Sequence, residues 1–77
     1  MKVLLFARAR DLLGADRIEC ADLPTVGDLR RHLIQVYPNL AGLLAKSAFA
    51  VNDEFANDAT EILASAEVAL LPPVSGG

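Results

Sequence analysis

The sequence predicts an α+β fold in which a mixed sheet of four or five strands packs on one face against one main helix. The first strand-like segment is apolar on both faces, as expected of a central strand. A single long helical pattern follows it, and the chain closes on a second apolar strand that fits beside the first. With 77 residues, the protein has room for one domain, and a core of this size rarely supplies more than about 3–5 kcal/mol of net stability.

The N-terminal part is predicted to form a β-hairpin with a wide connection. Residues 1–7 form its first strand, and residues 9–13 are helix formers that end at Gly14, which indicates a short helical turn. In residues 17–21, apolar and charged side chains alternate, which is typical of a strand with one buried side. Cys20 in this strand is therefore expected to be a structural thiol.

The main helix is expected to begin after a turn at residues 22–24. Thr25 is a good N-cap, because its hydroxyl can accept a hydrogen bond from the Asp28 amide. Pro38 ends the helix, since it has no amide hydrogen. Residues 40–44 predict a further helical turn. The residues of the main helix that follow apolar helical spacing are Val26, Leu29, Leu33, Val36 and Tyr37.

Three more strands are predicted in the C-terminal half. Residues 47–52 and 54–56 form two of them, joined by an Asn-Asp turn. Residues 57–63 are polar and fit either an irregular segment or a short helix capped by Asp58, and residues 67–71 form the last strand. If this strand lies parallel to the first in the middle of the sheet, the arrangement is a β-grasp fold, as in ubiquitin.

Composition and charge exclude several classes of function. Apolar residues make up 53% of the chain, a surplus for a domain that buries only about 60% of its unfolded surface. No segment approaches the ~20 apolar residues that cross a bilayer, and the apolar run before Arg8 is too short for the apolar region of a signal peptide. We therefore expect a cytoplasmic protein that covers its surplus apolar surface with a protein partner, not a membrane. The net charge of −3 argues against binding to nucleic acid.

Few residues are of the kinds that carry catalysis or bind metals. The single cysteine, Cys20, and the single histidine, His32, lie in no nucleophile motif. A metal site built from Asp53, Glu54 and Asp58 would lack a glycine at a loop position. We expect no metal site and no catalysis by this chain alone. The paired arginines at 8 and 10 and at 30 and 31 are expected to be solvated.

The last six residues, 72–77, are predicted to form a flexible tail beyond a domain of residues 1–71. The two prolines that begin the tail cannot donate to a sheet ladder, so strand pairing ends near residue 71. Six residues reach about 20 Å at roughly 3.3 Å each. Gly76 and Gly77 lack side chains, which lets the backbone enter a narrow channel and exposes the terminal carboxylate to another enzyme.

The terminal carboxylate needs activation before it can carry a group. It is ionised at pH 7 and is a poor electrophile, and adenylation by ATP is an economical way to activate it. The chain has no phosphate-binding glycine loop, so a separate enzyme must bind the nucleotide. An activated acyl group can take sulfur, which makes a sulfur carrier, or an amine, which makes a protein tag. A plain interaction module with an incidental Gly-Gly end is a further alternative.

Several segments carry a resemblance to a known family. They are residues 6–14, 24–26, 29–30, 50–52 and above all 67–77, which ends in Pro-Pro-Val-Ser-Gly-Gly. Together they resemble the small subunits of molybdopterin synthase, the MoaD-type sulfur carriers, which are ubiquitin-like β-grasp proteins. The family's Asp-Gly-Asp turn before the last strand is replaced here by residues 64–66, Ala-Ser-Ala.

The resemblance implies a two-stage cycle centred on Gly77. A MoeB-like adenylyltransferase would use ATP to form an acyl-adenylate there, and a sulfur donor protein would convert it to a thiocarboxylate. The tail would thread into a MoaE-type large subunit through Gly76 and Ser75 and give sulfur to cyclic pyranopterin monophosphate in molybdenum cofactor biosynthesis. Because the product needs two sulfurs, the resemblance implies a heterotetramer with two small subunits. It also implies that the carrier has no permanently bound cofactor. Carriers for thiamine synthesis or tRNA thiolation, and ubiquitin-like modifiers, stay open as alternatives.

The partner-binding residues are expected at the end of the last strand and the start of the tail. Leu71, Pro72, Pro73 and Val74 are natural interface anchors. Phe6, on the neighbouring strand, is a further candidate, although its sequence pattern fits a core position equally well.

Overall fold

The protein forms five strands and three α-helices within residues 1–73, the part that a computed structural model describes. In chain order, the elements are β1 Lys2–Leu5, α1 Ala7–Leu13, β2 Arg17–Glu19, α2 Val26–Val36, a 3-10 turn at Pro38–Leu40, α3 Ala41–Lys46, β3 Ala48–Val51, β4 Glu54–Ala56 and β5 Val68–Leu71.

The strands form one mixed sheet in the order β2-β1-β5-β3-β4. The central pair, β1 and β5, is parallel, and every other neighbouring pair is antiparallel. The first and last strands thus lie side by side in the middle, and the predicted β-grasp fold is confirmed. The last strand ends at Leu71, where the domain boundary is predicted; residues 74–77 of the predicted tail lie outside the described residues.

The core lies between α2 and one face of the sheet. The register places Leu5, Leu70 and Phe49 side by side on this face, and all three are buried. Because successive strand residues point to opposite faces, the strand residues next to each of these three point to the other face. Within the described residues, the core side chains are Val3, Leu5, Ala9, Val26, Leu29, Leu33, Leu40, Leu44, Phe49, Ile62, Val68 and Leu70.

The boundaries of α2 follow the predicted signals. The Thr25 hydroxyl accepts a hydrogen bond from the Asp28 amide at 3.2 Å, which confirms the N-cap. The helix ends at Val36, two residues before Pro38. Val36 itself is exposed, so the buried stripe stops at Leu33 and the prediction of Val36 as part of it is wrong.

Residues 57–63 are irregular, as the first of the two interpretations has it, and the alternative of a short helix is wrong, because this segment instead completes the N-terminus of α2. The Val26 amide donates to the Thr60 carbonyl at 3.0 Å, and the Gly27 amide donates to the Asp58 carbonyl at 2.9 Å. The first amides of a helix have no partner inside it, and the turn at residues 57–60 satisfies both. Asp58 therefore supports α2 and caps no helix of its own.

Two tight turns lie at the end of β3 and just before β5. Asn52 and Asp53 have φ values of 51° and 66°, the left-handed geometry of a two-residue hairpin turn, which confirms the predicted turn. The Ala-Ser-Ala turn closes without glycine, through a hydrogen bond of 2.9 Å from the Ala66 amide to the Leu63 carbonyl. The Asn52 side chain accepts from the Glu67 amide at 2.9 Å and joins the two turns. Within residues 1–73, no helix is long and apolar enough to span a membrane.

Candidate docking groove

The sheet face opposite α2 carries an apolar groove of about 420 Å³ at the end of β5. Its position matters because the chain leaves the sheet there and continues into the predicted tail. The groove is lined by Phe6, Ala7, Lys46, Ala48, Phe55, Leu71, Pro72 and Pro73.

The sheet register explains why a groove forms at this point. Ala48 lies opposite Leu71, Ala50 opposite Ala69, and Phe55 opposite Ala50. Alanine side chains are too short to fill the space above the sheet, whereas Leu71 and Phe55 stand above it. The middle of this face is therefore low, with larger apolar side chains at its edges.

The junction between β1 and α1 forms one edge of the groove. Phe6 has extended backbone and a side chain that is 44% exposed, so it is not a core residue. Ala7 has a φ of 52°, a left-handed conformation that costs a non-glycine residue about 1–2 kcal/mol. This strained turn takes the chain directly from strand to helix and leaves the Phe6 ring beside Leu71 at the groove.

Phe55 forms part of the groove and was missed by the sequence analysis. It is 81% exposed, the most exposed large apolar side chain among residues 1–73. It lies on β4, the edge strand, where an uncovered apolar side chain invites association with another chain. The strand is only three residues long, so its alternation is too short to reveal which side chain points outward.

Arg30 holds the junction between α3 and β3 in place, where Lys46 and Ala48 line the groove. Its Nη1 donates to the carbonyls of Leu44 and Ser47 at 2.6 and 2.7 Å, and its Nη2 to Asp58 Oδ1 at 3.0 Å. The guanidinium also lies 5.1 Å from the centre of the Phe49 ring. With only 17% of its side chain exposed, Arg30 contradicts the prediction that both arginines of this pair are solvated.

The structure brings together four of the predicted partner-binding residues. Phe6, Leu71, Pro72 and Pro73 all line the groove. The other predicted site residues, Val74, Ser75, Gly76 and Gly77, lie outside the described residues. Their predicted roles in partner binding, tail threading and sulfur attachment stay predictions.

Cys20 lies away from the groove, directly after β2, and its amide donates to the Met1 carbonyl at 3.0 Å. Burial raises the pKa of its thiol, the N-terminal ammonium lowers it, and Asp22 raises it further. A thiol with a raised pKa is largely protonated at pH 7 and is a weak nucleophile. In the described part of the chain, no three His, Cys, Asp or Glu side chains are grouped closely enough to hold a metal ion.

Comparisons with known proteins place similarity along the full chain. The sequence profile of the ThiS family matches residues 3–77. The molybdopterin synthase sulfur carrier subunit of Escherichia coli is 40% identical over 80 residues, covering 100% of this chain and 99% of the relative. That of Dictyostelium discoideum is 39% identical over 82 residues, covering 99% and 94%.

Two solved structures have the same fold at lower identity. Small archaeal modifier protein 1 of Haloferax volcanii is 28% identical with a TM-score of 0.72, covering 95% of both chains. A chain from the protein–protein complex of subunits 1 and 2 of the molybdopterin-converting factor of Helicobacter pylori is 26% identical with a TM-score of 0.67. It covers 99% of this chain and 96% of that one.

Proposed function

This chain belongs to the ThiS family, and on that premise we propose that it is the sulfur carrier subunit of a molybdopterin synthase, acting in molybdenum cofactor biosynthesis. The observation that carries the proposal is the position of the groove. The groove lies where the last strand leads into the predicted tail, which contains Gly76 and Gly77. Similarity to sulfur carrier subunits over the whole chain supports the same function.

The chemistry takes place on the carboxylate of Gly77. A MoeB-like adenylyltransferase joins this carboxylate to the α-phosphate of ATP and releases pyrophosphate. Sulfur at the oxidation level of sulfide, supplied by a donor protein, then displaces AMP and leaves a thiocarboxylate. On the synthase, this sulfur passes to cyclic pyranopterin monophosphate, and oxygen from water restores the carboxylate. We propose that the cycle runs in the cytoplasm and that no cofactor remains bound to the carrier.

The groove is the docking surface for a MoaE-type large subunit. The related Helicobacter pylori chain comes from a complex of subunits 1 and 2 of the molybdopterin-converting factor, which supports a partner of this kind. Phe6, Phe55 and Leu71 are exposed or half-buried apolar side chains that a partner can cover completely, as interface anchors require. Pro72 and Pro73 favour an extended backbone, which directs the following residues away from the sheet. A product with two sulfurs calls for two carriers, hence a heterotetramer.

Reconstitution with the activating enzyme, ATP and sulfide tests the chemistry. Intact-mass measurement should show one oxygen of the C-terminus replaced by sulfur, and the loaded carrier should then convert pyranopterin to molybdopterin with the large subunit. Deletion of Gly77 should abolish both results while far-UV circular dichroism stays unchanged. Continued molybdopterin formation by the truncated carrier would contradict the proposal.

A matched pair of substitutions tests the docking surface. Phe55→Ala should weaken binding to the large subunit by about tenfold or more, as expected for an interface anchor. Leu63→Ala is the control, because Leu63 is also largely exposed but does not line the groove. Both variants should unfold near the wild-type urea midpoint, since neither side chain is buried. Equal affinities for the two variants would show that the groove is not the docking surface.

Protein modification is a second candidate function. The similarity to a small archaeal modifier protein favours it, because an activated Gly77 can also react with a lysine amine and form an isopeptide. The same reconstitution separates the two functions. Conjugates of higher mass in an extract containing the activating enzyme, without sulfur on the free carrier, would support a modifier.

A further inference from the structure

Lys46 is the single charged side chain among the eight residues that line the groove. The other seven are apolar, and Lys46 is itself exposed. Among residues 1–73, no carboxylate lies within ion-pair distance of its ammonium group. A positive charge therefore lies beside an apolar surface, on a protein whose net charge is −3.

The backbone on both sides of Lys46 is held in place. Arg30 donates to the carbonyls of Leu44 and Ser47, which precede and follow Lys46 in the chain. The Ser47 hydroxyl donates to the Leu43 carbonyl at 2.7 Å, and this adds a further link across the end of α3. The side chain of Lys46 thus starts from a fixed point beside the groove, so less conformational freedom is lost when its ammonium group is bound.

We propose that Lys46 is a specificity-determining residue of the docking groove and that it selects a partner surface with a carboxylate facing its ammonium group. This inference rests on the proposed function and takes the synthase large subunit as the occupant. A partner that covers the apolar side chains also removes water from around Lys46. Removing water from an unpaired charge is costly, so a large subunit that supplies an aspartate or glutamate there binds more tightly than one that does not.

Such a pair acts on specificity and on the rate of association. Complementary charges at an interface speed the encounter of the right partner and disfavour partners with a like charge at the same place. A cationic partner surface would therefore be rejected, although the apolar groove alone would accept it. The alternative is that Lys46 extends to water past the edge of the interface and makes no pair.

Charge substitutions at the two lysines of the chain test the inference. Lys46→Glu should weaken binding to purified large subunit by roughly 100-fold, and Lys46→Ala by about tenfold. Lys46→Arg should bind within about threefold of wild type, because it keeps the charge. Lys2→Glu is the matched control: Lys2 is the only other lysine, is exposed, and lies on β1 outside the groove. It should bind within about twofold of wild type, since distant surface charges are screened.

Salt dependence gives a second measurement. Raising the salt concentration to about 0.5 M should narrow the affinity gap between wild type and Lys46→Glu, because ionic screening weakens both attraction and repulsion. Urea unfolding of each variant checks that the fold is unchanged. Equal binding by wild type and Lys46→Glu at low salt would overturn the inference while leaving the proposed function intact. Failure of the wild-type carrier to bind the large subunit at any salt concentration would overturn the proposed function itself.

Discussion

Replacement of Arg30 by glutamine should destabilise the protein far more than the same change at the adjacent Arg31. Both arginines lie on α2 and both pair with an aspartate. Arg31 pairs with Asp28 one turn away on its own helix and is exposed, so its loss should leave stability close to that of wild type. Arg30 is mostly buried and joins α2 to the end of α3 and to the segment before β5.

The magnitude follows from the groups that Arg30 leaves behind. The Ser47 carbonyl loses a charged donor, and a partly buried group left unsatisfied costs about 1–2 kcal/mol. The Leu44 carbonyl still accepts from the Ser47 amide at 3.3 Å, so the loss of Arg30 costs only about 0.5–1 kcal/mol there. The contact with the Phe49 ring adds about 0.5–1 kcal/mol. Asp58 adds little, because its side chain is 57% exposed and water replaces the lost partner. The total is about 2–4 kcal/mol, most of the ~3–5 kcal/mol available to a domain of this size.

Urea unfolding followed by far-UV circular dichroism measures this difference directly. A loss of this size should also lower the Tm by roughly 10–30 °C, since 1 kcal/mol corresponds to about 4–8 °C in a small domain. Unfolding free energies of Arg30→Gln and Arg31→Gln within about 0.5 kcal/mol of each other, the spread typical of surface substitutions, would refute the reasoning. Such a result would mean that water hydrogen-bonds to the two carbonyls in the Arg30→Gln variant.

Four further predictions concern single residues outside the groove. Gly14 ends α1 with a φ of 67°, so Gly14→Ala should lower the unfolding free energy by about 1 kcal/mol. Gly42 is exposed in α3 and has open space at its Cβ position, so Gly42→Ala should raise the unfolding free energy by about 0.5–1 kcal/mol. Hydrogen bonds from the Thr25 hydroxyl and from Arg31 lower the pKa of the Asp28 carboxyl below its usual 3.8. Its contribution to stability is therefore present above pH 4 and is lost as the pH falls through the folded-state pKa, so urea unfolding should show wild type and Asp28→Asn converging in acid. Cys20→Ala should keep full sulfur transfer in the reconstituted synthase, because burial keeps the thiol protonated; loss of transfer would show that the thiol takes part.

Local signals in the sequence predicted what local interactions decide. Thr25 caps α2 through an amide three residues away, and the Asn-Asp turn needs only its own two residues to reverse the chain. The central position of β1 and β5 follows from apolar side chains on both faces of each strand. Each of these features depends on neighbours in the chain, and the structure confirms all three.

Features that depend on distant parts of the chain could not be predicted in the same way. Residues 57–63 contain helix-compatible side chains, but their backbone bonds to the start of α2, about thirty residues earlier. The outward direction of Phe55 follows from its register against Ala50, which a three-residue strand does not reveal. Arg30 reaches three separate segments, and helical spacing alone places it on a polar face. In each case, a partner far away in sequence decides the outcome.

The central strand β5 explains how so small a domain can hold a docking surface in place. Its residues alternate between two environments: Val68 and Leu70 are buried in the core, while Ala69 and Leu71 lie on the opposite face. The strand is bonded to neighbours along both edges, so the start of the tail cannot shift unless the core also rearranges. Variants that probe docking must therefore change outward-facing side chains such as Leu71, because a core change at Leu70 would alter stability and docking together.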